Sequence, residues 1–191
     1  MIETLFALEG IGQALRIEHG VIHIETAECL QFIDITDRVV AVVEDCGIQN
    51  GIVNIQTRHT TTAIIVNENE PLLLEDMRRA LERLAPSEIE YGHNDFSIRT
   101  ANMQPDETEN GHSHCKAMFL RTSETLNITG GVVQLGRWQR IFLIELDGAR
   151  SRNVSVTVMG HQNCSQEWGE DLKGSGQESV RIPRMIPNHS R

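Results

Sequence analysis

Three short segments hold the residue types best suited to chemistry. His59 lies in Arg58-His59-Thr60-Thr61-Thr62, His93 in Tyr91-Gly92-His93-Asn94-Asp95, and His112 and His114 in Asn110-Gly111-His112-Ser113-His114-Cys115-Lys116. Neutral imidazoles converging from three segments would make a divalent transition-metal site with a position open for water or substrate. A single histidine is more often a hydrogen-bonded structural residue. His93 and the His-x-His pair, however, flank one long polar loop and together point to metal binding or catalysis. In a helix His112 and His114 would diverge by about 200°, whereas an extended segment would turn both to one face. The helical stretch that begins near Cys115 favours the first arrangement. A cupin site is set aside because its glutamate is missing: the next acid after His114 is Glu124.

Carboxylates and cations near these segments complete the candidate set. Asp95 follows His93 by two residues, and Glu68 stands where a predicted strand meets Pro71. An acid at the place of Glu68 also favours the start of a helix through its dipole. Glu145 shares strand parity with Ile141 and Leu143, so its carboxylate points where two apolar neighbours point. Arg150 and Arg152, just past Asp147-Gly148, either pair with it or hold an anion. No P-loop, GxGxxG, GxSxG or HExxH is present, which removes the commonest nucleotide and hydrolase signatures.

The elements that must position these residues follow from periodicity. Ile22–Thr26 reads as a strand. Ile35–Cys46 reads as a helix, with Thr36 as N-cap, Gly47 at C′, and Val39, Val40, Val43 and Cys46 as its buried stripe. From Gly51 the period changes to two, giving strands at 51–58 and 60–68 that are either paired or one long bent strand. After Pro71, the residues Leu73, Met77, Ala80, Leu81 and Leu84 trace one face of a helix, with Glu75/Arg79 and Arg78/Glu82 on its solvated face. Residues 86–112 form a polar loop longer than the roughly 12–15 residues that idle loops reach. Strands near 124–128, 132–135, 139–146 and 152–159 follow, with hairpin signals at Gly130-Gly131 and Asp147-Gly148, and Trp138 as an expected core anchor. Periodicity ends after Gly160. The chain therefore divides into a domain at 1–161 and a tail at 162–191, flexible or docked on a neighbour. Many short strands and few helices predict a β-rich α+β domain of two packed sheets with short flanking helices.

Composition narrows the function classes. The 191 residues carry a formal net charge of −10, which disfavours general binding to nucleic acid or to anionic membrane surfaces. Aromatics are only 4% of the chain, so the core must rest on Val, Ile and Leu. The four cysteines are widely spaced and form no C-x-x-C pair, which argues against both a disulfide framework and a thiolate zinc site. No apolar run approaches 18 residues, and Met1-Ile2-Glu3-Thr4 carries an acid where a signal peptide wants a base, so a cytoplasmic protein is expected.

Five blocks in order resemble the YjbQ family, often called the secondary thiamine-phosphate synthase family. They are His59-Thr60-Thr61 with Asn67-Glu68-Asn69; Tyr91-Gly92-His93-Asn94-Asp95; Asn110-Gly111-His112-Ser113-His114; Gly136-Arg137-Trp138-Gln139; and Glu145-Leu146-Asp147-Gly148-Ala149-Arg150-Ser151-Arg152. The resemblance runs from about residue 20 to Gly160. It implies a sandwich of two sheets assembled as a homotrimer, with a metal-binding pocket near subunit contacts. His59, His93 and His114 match the family's recurring histidines. The implied activity joins hydroxymethylpyrimidine diphosphate to thiazole phosphate and releases pyrophosphate, as a secondary activity. Such a reaction needs a divalent ion, zinc-like by its imidazole ligands or Mg²⁺ by its diphosphate chemistry, and cations that neutralise developing charge. On this reading His59, His93 and His114 hold the ion. Lys116, Arg137, Arg150 and Arg152 hold the phosphates of a small phosphorylated metabolite, and Asp95, Glu68 and His59 are the catalytic candidates. Two alternatives stand beside it: a metal-dependent hydrolase of a small phosphorylated metabolite, and a non-catalytic trimer stapled by metal.

Overall fold

Val154, Val156 and Val158 alternate with Asn153, Ser155 and Thr157, and the strand they form is the longest of the fold, with the valines fully buried. The computed structural model describes residues 15–162; apart from Gln162, the expected tail lies outside them. In chain order the elements are β1 (Arg16–Glu25), β2 (Gln31–Asp34), α1 (Thr36–Cys46), β3 (Asn50–Thr57), β4 (Thr62–Glu68), α2 (Pro71–Leu84), a 3₁₀ turn (Gly92–Asn94), α3 (Gly111–Ala117), β5 (Ser123–Thr129), β6 (Val132–Val133), β7 (Gln139–Glu145) and β8 (Ser151–His161). Five strands form one sheet in the order β1-β8-β3-β5-β6, and three form a second in the order β2-β7-β4. Every pairing is antiparallel.

The main core lies between the sheets. Ile22, Ile24, Val53, Ile55, Val154, Val156 and Val158 from the larger sheet meet Ile64, Ile141 and Leu143 from the smaller, and Val39 and Val43 of α1 close one end. The smaller sheet is buried on its other face too, where Ala63 and Ile144 pack with Leu81 of α2. Burial on both faces explains why β7 is an unbroken apolar run, Ile141-Phe142-Leu143-Ile144, rather than an alternating one.

Several expectations change once the long-range pairing is seen. β3 and β4 neither pair nor form one bent strand; they belong to different sheets. Asp147-Gly148 is likewise no hairpin turn, since β7 and β8 also lie in different sheets and the segment crosses between them. Turn residues and period-two patterns encode local geometry but not the partner strand. Gly130-Gly131 does turn the β5–β6 hairpin, both glycines at positive φ. Thr36 does not cap α1. Asp34 Oδ1 accepts from both the Thr36 N–H (3.0 Å) and its hydroxyl (2.7 Å), while the Thr36 oxygen accepts from the Ile141 N–H at 2.8 Å and ties the helix to β7. Trp138 is 61% exposed instead of anchoring the core, with the Arg137 guanidinium 4.7 Å from its ring centre. Among the described residues, no helix is long and apolar enough to cross a membrane.

Candidate functional site

The two segments that carry His93 and His114 are tied together by their neighbours. Asn94 Oδ1 accepts from the Gly111 N–H at 2.8 Å, and a Cβ at Gly111 would stand 2.6 Å from the Tyr91 side chain, so glycine is what lets the turn and α3 approach. The Ser113 hydroxyl donates to the Leu146 carbonyl at 2.6 Å and seats α3 on the end of β7. Gly111, Ser113 and Lys116 form the buried face of α3. That leaves His112 and His114 on diverging sides, as helical geometry requires. His114 meets His93 edge-on with ring centres 4.7 Å apart, while the His112 ring lies 6.4 Å from that of Tyr91. Burial and the neighbouring His93 hold the His114 pKa below its ordinary value, so at neutral pH its imidazole is uncharged.

The histidine pair opens onto a cavity of about 440 Å³ between the long polar loop and the β7–β8 crossing. Three arginines line it, and each already has a carboxylate. Arg99 meets Glu107 at 3.1 Å; Arg150 meets Asp147 at 2.8 Å; Arg152 makes a two-pronged contact with Glu145 at 2.6 and 2.7 Å. Arg152 and Glu145 are both buried, and Thr61, Thr26 and the Asp147 N–H complete the network. Arg152 lines the cavity as its buried floor, and Glu145 fixes it there. Arg150 is different: its side chain is 39% exposed, and Nη1 has no partner among the described residues, so it can face an anion.

The other sequence-derived candidates are placed elsewhere. His59 Nε2 accepts from the Asn153 N–H at 3.1 Å, and the ring does not line the cavity although Thr60 and Thr61 do. Burial, together with the Arg152 cation, holds its pKa below the ordinary value. Among the described residues no three His, Cys, Asp or Glu side chains come together to hold a metal, so the three-histidine set does not form within this chain. Asp95 is exposed and closes its own turn, accepting from the Ser97 N–H and hydroxyl, and these bonds hold its carboxyl below the usual range. Glu68 pairs with Gln139 at the far end of β4, about 20 Å along the strand from Thr62. Arg137 is at that same far end beside Trp138. Arg99, Glu107 and Asn110 also line the cavity. The one sequence signal for Arg99 and Glu107 is a polar loop too long to be idle, whereas Asn110 opens the block that carries His112 and His114.

Lys116 holds no phosphate. It is fully buried, and Nζ makes an ion-pair contact with Glu82 Oε2 at 2.9 Å. Glu82 therefore turns away from Arg78, which instead donates to the Leu30 carbonyl and lies over Phe32. Burial works against the Glu82 charge, but hydrogen bonds from Ser87 and the Lys116 ammonium outweigh it and bring its pKa to about 2. A carboxyl depressed on folding contributes stability above its unfolded pKa, near 4.5, and loses it as pH falls towards 2. Acid unfolding monitored by circular dichroism should thus steepen over that window. Glu82→Gln should flatten it, and an identical acid limb in both proteins would refute this linkage.

The model of a family described as UPF0047 protein YjbQ-like matches residues 20–161. A UPF0047 protein of Methanothermobacter thermautotrophicus is 41% identical over 72% of this chain and 88% of its own. The UPF0047 protein YugU of Bacillus subtilis is 31% identical over 73% and 97%. The chain is a UPF0047, YjbQ-like protein. A crystal structure of a family relative from Sulfolobus solfataricus, 33% identical, superposes with a TM-score of 0.70 over 78% of this chain and 100% of that one. Its mixed α+β fold of two antiparallel sheets is the fold described above. That relative is described as a protein of unknown function, and the Methanothermobacter and Bacillus relatives are named as UPF0047 proteins, not as thiamine-phosphate synthases. The thiamine-phosphate synthase expectation is thereby overturned.

Proposed function

We propose that the cavity is an active site for a small anionic metabolite, phosphorylated or carboxylated, in which His93 and His114 do the chemistry. One observation carries this reading. His93 Nε2 is buried without a hydrogen-bond partner among the described residues, and its ring sits edge-on against the His114 imidazole. Imidazole nitrogens suit a zinc-like ion and not Mg²⁺, so His93 and His114 are the residues that would hold it. A bound ion of this kind lowers the pKa of water and polarises an oxygen of the substrate. Arg150 faces the anionic group, Arg152 and Glu145 keep the floor rigid, and the Arg99–Glu107 pair holds the loop over the pocket. The test is a metabolite-depletion screen with metal-loaded protein and a His93→Ala control. Loss of an anionic metabolite with the wild type alone is expected; no depletion beyond the control would overturn the reading.

The same proposal includes assembly as a homotrimer in a reducing cytoplasm, where Cys29, Cys46 and Cys115 stay as free thiols. β1 is an edge strand with Ile17 60% and Val21 45% exposed, and such edges are normally covered. Light scattering is expected to give the mass of three 21.5 kDa chains. A stable monomer at micromolar concentration would refute it.

A further inference from the structure

Asn110 also lines the cavity, and its Oδ1 is a second buried polar atom without a partner among the described residues. Asn110 is 6% exposed and stands just before α3, where an asparagine side chain ordinarily turns back to accept from the first amides of the helix. Here it does not. Its Nδ2 donates instead to Asp147 Oδ2 at 3.1 Å, the same oxygen that Arg150 contacts at 2.8 and 3.0 Å. A carboxylate paired with arginine can only accept, so chemistry assigns the amide: nitrogen towards Asp147, oxygen away from it. A buried carbonyl oxygen without a donor is costly, and native proteins rarely leave one.

We infer that Asn110 Oδ1 is the specificity contact of the cavity, accepting a hydrogen bond from a hydroxyl or N–H of the substrate. Asn110 and Arg150 converge on one oxygen of Asp147, so the donor and the anionic group they recognise lie within a few bonds of each other. The substrate class is therefore a hydroxylated or amino-bearing phosphate ester or acid, and a plain alkyl phosphate is a poor ligand. This rests on the small-anion reading of the same cavity.

The two claims separate in one experiment. Calorimetry on the zinc-loaded full-length protein compares inorganic phosphate, n-propyl phosphate and glycerol 3-phosphate, the last two matched in length and differing in their hydroxyls. Glycerol 3-phosphate is expected to bind about tenfold more tightly than n-propyl phosphate, the worth of one buried hydrogen bond. In Asn110→Leu that preference should vanish. Equal binding of the two esters by the wild type overturns the inference and leaves the anion reading intact. A preference that survives in Asn110→Leu overturns the assignment to Asn110. Failure of all three probes to bind removes the anion reading, and the inference with it. Should Asn110→Leu not fold, the wild-type comparison of the two esters still decides the matter.

Discussion

On the proposed reading, protein carrying His93→Ala or His114→Ala is expected to bind less zinc than the wild type and to lose any activity that depends on the ion. This chain brings two imidazoles together and no third ligand among the described residues, so each substitution halves the protein's donor set. A single imidazole binds a zinc-like ion more weakly than a convergent pair does. His112→Ala and His59→Ala should keep most of the metal, because His112 turns to Tyr91 and His59 Nε2 is taken by the Asn153 amide. The measurement is elemental analysis per chain of protein purified without added metal, after each variant is shown to be folded. Full metal content in both His93→Ala and His114→Ala would sink the site.

The second large effect is on stability. Glu145 is fully buried and Arg152 is 5% exposed, and their contacts reach Thr26 and Thr61, joining β7, β8 and the segments before β2 and β4. Removing one member leaves the other charge buried and unpaired, which costs about 3–5 kcal/mol. Glu145→Leu and Arg152→Met should each lower the melting temperature by roughly 6–20 °C, at the ~2–4 °C per kcal/mol typical of this size. Replacing both should recover part of the loss, because the double variant strands neither charge. Denaturation midpoints of the two single variants and the double variant check this. A cost below ~1 kcal/mol for Glu145→Leu would show that the floor does not depend on the pair.

Local chemistry made much of this protein legible without coordinates. The helix behind Pro71 with Leu81 at its buried face, the Gly47 stop after α1, the Gly130-Gly131 hairpin and the alternating valines of β8 all appear where neighbouring residues demand them, although Leu84 at the end of the expected stripe is exposed. Each depends on a period or a backbone preference, which a few consecutive residues express completely. The likeness of five blocks to YjbQ proteins was legible too, and family membership followed from it.

Only the tertiary structure decided which candidates share a site. Glu68 and Thr61 are separated by a few residues of chain, yet the extended strand carries Glu68 away from the cavity that Thr61 lines. His93 and His114 are far apart in sequence, yet the Asn94–Gly111 hydrogen bond and the seat of Ser113 on Leu146 bring their rings together. Lys116 and Glu82 met on facing helices and removed a cation from the phosphate set, while Arg152 and Glu145 joined across the β7–β8 crossing. The physical reason is common to all four. The type of a side chain states what it can bind, but the contact that satisfies it is chosen by long-range packing, which no run of neighbouring residues encodes.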